Sequence, residues 1–320
     1  MRILVTGGAG FIGSHVADRF IELGHEVAVL DDLSSGKPEN VNPRAKLFRM
    51  SLLDERLAGV FDEFRPDVVS HHAAQVNVRR SVDAPEFDAT VNVVGSVRLF
   101  HAAATRGCGP FDHAQGRKVI YASSGGACYG DPPSLPARED APVRPLCPYG
   151  VSKYAAETYL QLYGALNGLR FTVLRYANVY GPRQDPHGEA GVVAIFSELL
   201  LEGKAPTIFG DGSKTRDYVF VSDIVQANVL ALEAGDGGVY NVGAGREVSD
   251  DRIFAAVRDA VGVKIEPVYS EFRKGEVRRV ALDASRIRED LGWRPRVAIE
   301  QGIPKAVEFY RAKRPASSQA

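Results

Sequence analysis

The sequence has little net charge, few cysteines and no long apolar run. Its 39 lysine and arginine residues nearly cancel its 40 aspartate and glutamate residues, so no overall field attracts nucleic acid or an anionic membrane surface. No apolar stretch approaches the roughly 20 residues that cross a bilayer. The first residues, MRILVTGG, enter a strand-like run without an apolar leader and cleavage site. We therefore expect a cytoplasmic protein with no nucleic-acid partner and no membrane partner.

Metal-binding motifs are also lacking. The three cysteines, Cys108, Cys128 and Cys147, have no paired spacing, which fits a reducing compartment. His71 and His72 end a strand-like run without an HExxH motif or a cysteine pair beside them. The sequence therefore predicts no metal site.

Strand-like and helix-like segments alternate along the chain. The β-rich runs are RILVTG, EVAVLD, DVVSHH, KVIYAS and FTVLRYANVY, and stretches long enough for a helix separate them. Several runs are apolar almost throughout, as in parallel strands that helices cover on both faces. The pattern predicts an α/β fold with a doubly wound parallel sheet.

Turn-forming residues divide the chain into two lobes. A length of 320 residues is long for one domain and short for two independent ones. The segment GPRQDPHGEAG is also long for a connection inside a compact domain. We predict a dinucleotide-binding domain at residues 1–180, completed by about 217–243, and a smaller lobe at about 181–216 and 244–310. The low-complexity segment 311–320 is expected to be a mobile tail.

A glycine-rich segment follows the first strand-like run. Gly7, Gly10 and Gly13 lie in TGGAGFIGSH before a helical stretch, and such glycines let the backbone approach a pyrophosphate at the positive end of the helix. An ordinary strand-to-helix turn is the alternative. Asp31 ends the next run, where a carboxylate binds ribose hydroxyls and repels a 2′-phosphate. Asp32 is an alternative for that role, and a turn residue without a ligand is the alternative for both acids. The segment predicts NAD rather than NADP.

Tyr149 and Lys153 lie four residues apart in CPYGVSKYAAETYLQLY, a helical stretch near whose start Pro148 stands, so both can face one ligand. A phenol has a pKa of about 10, and lowering it by about three units takes roughly 4 kcal/mol. An ammonium about 4 Å away supplies about that much at an effective dielectric constant near 20. We predict that Tyr149 is the general base that removes a hydroxyl proton while NAD takes a hydride, and that Lys153 lowers its pKa and holds a cofactor hydroxyl. A surface pair without a role is the alternative.

Four segments together resemble one family over nearly the whole chain. They are TGGAGFIGSH, SSGGACYG, YGVSK and LRYANVYGPRQ, and they look like the extended short-chain dehydrogenase/reductases that act on nucleotide sugars. Within that group, the chain is most similar to the 4-epimerases of UDP-glucose and UDP-galactose. The resemblance implies a Rossmann domain with a smaller, mostly C-terminal substrate lobe and a homodimer. It also implies a reaction that oxidises the fourth carbon of a UDP-sugar and returns the hydride to the other face, so that NAD is regenerated.

The segment SSGGACYG bears on which reaction within that group is carried out. Relatives that dehydrate or decarboxylate nucleotide sugars carry acids here, as in TDEVYG or SEVYG, whereas this segment has none. The missing acids favour epimerisation, because no carboxyl protonates a leaving hydroxyl. Counted forward from the strand KVIYAS, Ser124 matches the position of the family's catalytic hydroxyl. Counted back from Tyr129, Gly125 matches that position instead, because the segment is one residue longer than is usual in the epimerases. We take Ser124 as the hydroxyl that bridges substrate and Tyr149. Ser123 is an alternative, and a role limited to backbone hydrogen bonds is another.

The resemblance also assigns cofactor-binding residues. Beyond the three glycines and the two acids, they are Phe11, Ile12, Ser51, Leu52, Ala73, Ala74, Gln75, Asn92, Tyr149, Lys153 and Tyr176. Asn92 corresponds to a helix asparagine near the catalytic tyrosine, and residues 73–75 correspond to the segment beneath the cofactor. Ser51 departs from the family, since relatives often have an aspartate there beside the adenine.

Substrate-binding residues follow from the same resemblance. They are Ser124, Tyr149, Asn178, Val192, Thr207, Phe209, Arg216, Arg273 and Glu276. Arg216 and Arg273 match arginines that grip the diphosphate, a task suited to a fixed fork of charge. Glu276 stands where relatives place an aspartate on the nucleotide ribose. Val280 aligns with a bulky aromatic residue of some epimerases, which predicts room for an N-acetyl group on the sugar.

Three alternatives to a 4-epimerase stay open at this point. A net dehydrogenase or reductase would keep NAD and Tyr149 but release an oxidised or reduced product. A dehydratase, decarboxylase or glucuronate epimerase would also begin by oxidising the fourth carbon. A protein that only senses NAD or a nucleotide sugar is the non-enzymatic alternative.

Overall fold

A parallel sheet forms the centre of the larger lobe. The structure is a computed structural model that describes residues 1–106, 117–187, 191–272 and 277–314. The strands are β1 (Arg2–Thr6), β2 (Glu26–Asp31), β3 (Lys46–Arg49), β4 (Val68–His71), β5 (Lys118–Ser124), β6 (Arg170–Tyr176), β7 (Asn178–Tyr180), β8 (Thr207–Phe209), β9 (Thr215–Arg216), β10 (Tyr218–Phe220), β11 (Gly238–Val242), β12 (Val248–Ser249) and β13 (Val268–Ser270). Seven of them form the central sheet in the order β11-β6-β5-β4-β1-β2-β3, and every pair in it is parallel. The predicted doubly wound α/β fold is confirmed.

Helices cover both faces of this sheet. The α-helices are α1 (Phe11–Glu22), α2 (Leu57–Phe64), α3 (Val78–Asp83), α4 (Pro85–Ala89), α5 (Gly95–Thr105), α6 (Gly125–Cys128), α7 (Pro148–Asn167), α8 (Val192–Leu201), α9 (Val221–Glu233), α10 (Asp250–Val261), α11 (Ser285–Leu291) and α12 (Ile299–Lys313). A 3₁₀ turn (Pro38–Asn40) follows β2, and a π-helical turn (Thr90–Val94) joins α4 to α5. Helices α1 and α9 share one apolar core with the sheet, and α2, α5 and α7 share another. The apolar runs of the central strands are buried because both of their faces are covered.

Three helices build the core of the smaller lobe. Helices α8, α10 and α12 pack on one another around Phe196, Phe254, Ile303 and Tyr310. Short pairs of strands, β8 with β13 and β9 with β12, lie beside them. Strand β11 returns to the central sheet beside β6, so the chain revisits the sheet after entering the smaller lobe. The predicted boundaries of the two lobes stay a prediction.

The end of the described chain is helical and reaches into the segment 311–320, whose mobility stays a prediction. Helix α12 continues to Lys313, and the Arg311 guanidinium donates hydrogen bonds to the carbonyls of Ala260 and Val261 at 3.3 and 3.2 Å. Arg311 therefore contacts the end of α10, whereas residues 315–320 lie outside the described residues. None of the described helices is long and apolar enough to cross a bilayer.

Candidate active site

The predicted site residues gather at one edge of the central sheet. Gly7 follows β1, Asp31 ends β2, Ala73 follows β4, Ser124 ends β5 and Tyr176 ends β6. Because these strands are parallel, their carboxyl ends all lie at this edge, where doubly wound folds bind their ligands.

The glycine-rich turn is built by close approach of backbone to backbone. Gly7 has a φ of 69°, and its N–H donates to the carbonyl of Leu30 at 2.9 Å. A Cβ on Gly13 would lie 2.3 Å from the Gly7 carbonyl oxygen, and one on Gly7 would lie 2.6 Å from the Ala73 nitrogen. Helix α1 begins at Phe11 with Gly10 as its N-cap and no side-chain cap. Its first N–H groups are therefore available to an anion, which fits the pyrophosphate of NAD.

Asp31 and Asp32 have different environments although they are neighbours. Asp31 is buried, and its carboxylate oxygens accept hydrogen bonds from the N–H groups of Ala9 and Leu33, both at 2.9 Å. Burial raises the pKa of Asp31. Asp32 is exposed and accepts from the Ser34 N–H at 2.9 Å. The geometry favours Asp31 for the ribose, since it lies against the glycine-rich turn while Asp32 closes a local turn.

Asn92 fixes the segment predicted to pass beneath the cofactor. Its side chain accepts from the Gln75 N–H at 2.7 Å and donates to the Gln75 carbonyl at 2.9 Å. Ala73 is anchored by a hydrogen bond from its N–H to the Thr6 hydroxyl at 3.3 Å. Asn92 lies inside the π-helical turn, whose widened backbone is common at functional positions. Ala74 is half-buried between Ala73 and Gln75.

The segment after β3 is also ordered by local contacts. The Ser51 hydroxyl accepts from the Leu53 N–H at 3.2 Å. Leu52 is buried, and its Cβ would lie 3.1 Å from a Cβ placed on Gly95. Ile12 in the first turn of α1 is partly buried against the core. Contacts of these residues with a cofactor stay predictions.

Helix α7 carries Tyr149 and Lys153 one turn apart. Pro148 occupies the first turn of the helix, where its missing N–H costs nothing. Lys153 is only 4% exposed, and its Nζ lies 4.5 Å from the centre of the Tyr121 ring. Burial lowers the pKa of Lys153 to about 8. The ammonium is therefore still mostly charged at neutral pH, which is the state that stabilises a neighbouring phenolate.

The two serines at the end of β5 differ in their contacts. Ser123 is buried and its hydroxyl donates to the Glu157 carboxylate, which forms an ion pair with Arg175 at 2.7 Å. Ser124 is half-buried, and successive strand residues point to opposite faces. Ser124 therefore points away from this buried pair, which favours it over Ser123 as the hydroxyl for a substrate.

The segment SSGGACYG contains a single helical turn. Helix α6 covers Gly125 to Cys128 and connects Ser124 at the end of β5 to Tyr129. The Tyr129 hydroxyl donates to the Asn241 side chain at 2.7 Å. A Cβ on Gly125 would lie 2.5 Å from a Leu282 methyl group, so this position has no room for a side chain. The position of Ser124 at the strand end is thus compatible with the family's hydroxyl despite the count from Tyr129.

The carboxyl end of β6 contributes two further predicted residues. Tyr176 is largely buried, accepts a hydrogen bond from the Asn228 amide at 2.8 Å and stacks against His72. Asn178, at the start of β7, is half-buried, and its side-chain oxygen would lie 3.4 Å from a Cβ on Gly126. Asn178 thus lies beside Gly126 of the segment SSGGACYG, whereas the Tyr176 hydroxyl is hydrogen-bonded to Asn228 in the core.

The predicted substrate residues of the smaller lobe lie on three different elements. Val192 begins α8, Thr207 and Phe209 are the two ends of β8, and Arg216 lies in β9. The Arg216 guanidinium donates to the Thr215 carbonyl at 2.8 Å. Their contacts with a nucleotide stay predictions.

Two of the predicted substrate residues, Arg273 and Glu276, lie outside the described residues. Val280 is 4% exposed and packs in the apolar core, so its side chain offers almost no surface to an acetyl group. Tolerance of N-acetylated sugars stays a prediction.

Sequence reasoning missed two buried acids, Glu157 on α7 and Asp88 on α4, and it predicted no metal. Glu157 follows Lys153 by one helical turn, which continues the spacing of Tyr149 and Lys153, and Asp88 precedes Asn92 by four residues. Both acids are almost fully buried. The signal for each was a carboxylate at helical spacing from a predicted site residue. Within the described ranges, no three histidine, cysteine or acidic residues form a group that could hold a metal ion.

Comparisons with known proteins agree with this geometry. Residues 3–243 match the model of the NAD dependent epimerase/dehydratase family. The UDP-glucose 4-epimerase of Mycolicibacterium smegmatis is 52% identical over 98% of this chain and 99% of its own. A structure of the Thermotoga maritima UDP-glucose 4-epimerase with UDP-glucose has a TM-score of 0.93 at 47% identity, covering 98% of this chain and 99% of that one. The Thermus thermophilus UDP-glucose 4-epimerase in complex with NAD has a TM-score of 0.92 at 44% identity, covering 98% and 100%. The chain belongs to the NAD dependent epimerase/dehydratase family.

Proposed function

We propose that this protein catalyses the NAD-dependent 4-epimerisation of a UDP-sugar, interconverting UDP-glucose and UDP-galactose through a 4-keto intermediate. The observation that carries the proposal is the arrangement around α7. Helix α7, which carries Tyr149 and the buried Lys153, packs against β5 and β6, and no carboxylate occurs between Ser124 and Tyr129. This arrangement supplies a proton acceptor for oxidation but no acid for elimination.

The proposed reaction uses few groups of the chain. NAD, when bound, accepts a hydride from the fourth carbon of the sugar and returns it. Tyr149 takes the proton of the 4-hydroxyl as the carbon is oxidised to a ketone, and Ser124 holds that oxygen. The Lys153 ammonium stabilises the Tyr149 phenolate. After the ketose has turned over, Tyr149 returns the proton to the oxygen, so that neither proton nor hydride is consumed overall.

The assay for this proposal combines two readouts. Purified protein is incubated with UDP-glucose and a trace of NAD, and both the sugar products and net NADH are followed. Formation of UDP-galactose without NADH accumulation is expected, because the hydride returns to the sugar. Stoichiometric NADH would instead identify a net dehydrogenase, and a 4-keto-6-deoxy sugar would identify a dehydratase. Tight NAD binding without any sugar product would identify a sensor.

We also propose that the protein is a homodimer that acts in the cytoplasm. Several apolar side chains are exposed on α7 and on the helices packed against it, namely Val82, Phe87, Val94, Val151, Leu162 and Leu166. Exposed apolar patches of this kind mark interaction surfaces. Light scattering during gel filtration is expected to give twice the mass of one chain, and a monomer at micromolar concentration would contradict the dimer.

A further inference from the structure

Asp88 on α4 is a buried carboxylate with only neutral hydrogen-bond donors. It is 1% exposed, and its Oδ1 accepts from the side-chain amides of Gln75 and Asn92 at 2.8 and 3.1 Å. Its Oδ2 is buried and has no hydrogen-bond partner in the described part of the chain. A charged carboxylate in such a place is costly unless another charge compensates it.

The hydrogen bonds of Asp88 connect the cofactor segment to the catalytic helix. The Asn92 amide that donates to Asp88 also donates to the Ser152 hydroxyl at 3.1 Å. Ser152 immediately precedes Lys153 on α7. Gln75, the other donor to Asp88, belongs to the segment predicted to pass beneath the cofactor, and its own N–H bonds to Asn92. Asp88 is therefore the shared acceptor of a network that joins both parts of the site.

Among the ionisable groups around Lys153, Asp88 is the carboxylate that can compensate the positive charge of the Lys153 ammonium. The groups that interact with Lys153 are Glu157 on α7, Tyr121 on β5, Cys128 on α6, His71 and His72 at and just after the end of β4, and Asp88 on α4. Tyr149 lies one helical turn before Lys153 on α7. Burial raises the pKa of Cys128 to about 12 and lowers the pKa of His72 to about 3, so both are neutral at pH 7. Glu157 already forms an ion pair with Arg175.

We propose that Asp88 is a positioning residue whose negative charge keeps the Lys153 ammonium charged and whose Oδ1 holds Gln75 and Asn92 in place. The inference rests on the proposed function in so far as Lys153 acts in catalysis. Asp88 touches neither of the reacting groups directly in this scheme. It acts through Lys153, Asn92 and Gln75.

The substitution Asp88→Asn separates charge from geometry. Because only Oδ1 is bonded, an asparagine oxygen can accept from Gln75 and Asn92 while its amide nitrogen replaces the unbonded Oδ2. The direct readout is the Lys153 pKa, measured with saturating NAD by NMR titration of protein labelled at lysine Cε, with the signal assigned by its loss in Lys153→Met. We expect the Lys153 pKa to fall by about one unit in Asp88→Asn, a tenfold change in its ionisation ratio. An unchanged Lys153 pKa would overturn the proposal.

A charge-retaining variant and a surface variant complete the experiment. Asp88→Glu keeps the charge, so the Lys153 pKa should stay near its wild-type value even where packing is disturbed, and a fall equal to that of Asp88→Asn would contradict a role for charge. This variant also keeps the test decisive if Asp88→Asn does not fold. Asp83→Asn changes an exposed aspartate at the end of α3 and should leave the Lys153 pKa unaltered.

Kinetics give a second readout. The alkaline limb of the kcat profile should move to lower pH in Asp88→Asn, so that kcat at pH 8 falls about fivefold while KM for UDP-glucose and Kd for NAD change little. Asp88→Ala should weaken NAD binding as well, because Gln75 and Asn92 lose their acceptor. Loss of activity in Asp88→Asn with an unmoved pH profile would show a merely structural role and overturn the proposal. A wild-type protein without epimerase activity would contradict the proposed function, but the NMR comparison would still decide the role of Asp88.

Discussion

At the scale of single residues, neighbours in the sequence have different environments. Ser123 lies in the buried pair of Glu157 and Arg175, whereas Ser124 ends β5 and is half-buried. The alternation of side chains along a strand is the cause. A difference of one position therefore decides whether a hydroxyl stabilises the core or can reach a ligand.

Replacing Tyr149 by phenylalanine should remove the proton acceptor and leave the ring. We expect kcat to fall by about 10²–10⁴-fold, while the affinity for NAD changes little. Both are measured with the UDP-glucose assay and by NAD titration. Tyr154→Phe is the matched control, since Tyr154 is 38% exposed on the same helix. A fully active Tyr149→Phe protein would remove Tyr149 from the mechanism.

Alanine at each of the two serines should separate their roles. Ser124→Ala should lower kcat, with little change in the melting temperature, because it removes a half-buried hydroxyl from the site. Ser123→Ala should lower the free energy of unfolding by about 1–3 kcal/mol, because Glu157 loses a buried donor. Thermal melts and steady-state kinetics measure both effects. A large loss of kcat in Ser123→Ala alone would reverse the assignment.

At the scale of elements, the site depends on how closely one segment approaches the next. Helix α1 can begin directly after β1 because the glycine-rich turn brings backbone atoms together where a side chain would collide. Helix α6 connects the end of β5 to Tyr129 in a single turn. Both are short connections whose geometry sets the position of a much longer helix or strand.

A methyl group on Gly13 should damage the cofactor turn. In Gly13→Ala the new Cβ would lie 2.3 Å from the Gly7 carbonyl oxygen, so the turn must shift. We expect NAD affinity to fall at least about tenfold and the free energy of unfolding to fall by about 1–3 kcal/mol, as in other overpacked sites.

Gly59 on α2 provides the matched control. It is exposed, and a Cβ there would meet nothing within 4 Å. Gly59→Ala should stabilise the protein by up to about 1 kcal/mol through helix propensity and leave NAD affinity unchanged. Equal NAD affinity in the Gly13 and Gly59 variants, measured by titration calorimetry, would contradict the role of the turn.

At the scale of the whole molecule, buried ionisable groups make stability depend on pH in opposite directions. Burial lowers the pKa of His72 to about 3 and that of His71 well below 6.5. Below pH 6.5 the unfolded chain binds protons at these histidines before the folded protein does. The free energy of unfolding therefore decreases as the pH falls toward 3. Burial raises the pKa of Asp217 to about 6, so the folded protein binds a proton at Asp217 before the unfolded chain does. The contribution of Asp217 to the free energy of unfolding therefore increases as the pH falls below 6.

Comparing the wild type with the variant His72→Asn isolates the contribution of His72 to the free energy of unfolding. The free energy of unfolding of the wild type minus that of His72→Asn should decrease as the pH falls from 7 to 4, by about 1 kcal/mol per unit below pH 6. The Asp217 contribution cancels in this difference. Urea unfolding can be followed by the fluorescence of Trp293, which is the only tryptophan and is fully buried. A difference independent of pH would contradict the assignment, and His101→Asn, at an exposed position, is the control.

The sequence by itself determined the features that depend on local pattern. The glycine spacing predicted the turn between β1 and α1, the apolar runs predicted a parallel sheet, and the spacing of Tyr149 and Lys153 predicted a shared helix face. Each depends on the conformational preferences of a few adjacent residues. Local pattern did not predict the helix at residues 311–313, in which Arg311 contacts α10, far away in the sequence.

Only the tertiary structure decided the features that depend on burial. It separated Asp31 from Asp32 and Ser123 from Ser124, and it revealed Asp88 as a buried carboxyl group that accepts hydrogen bonds from Gln75 and Asn92. Spacing along the chain does not report these properties, because desolvation and hydrogen bonding come from residues that are distant in sequence and meet only when the sheet and helices have assembled.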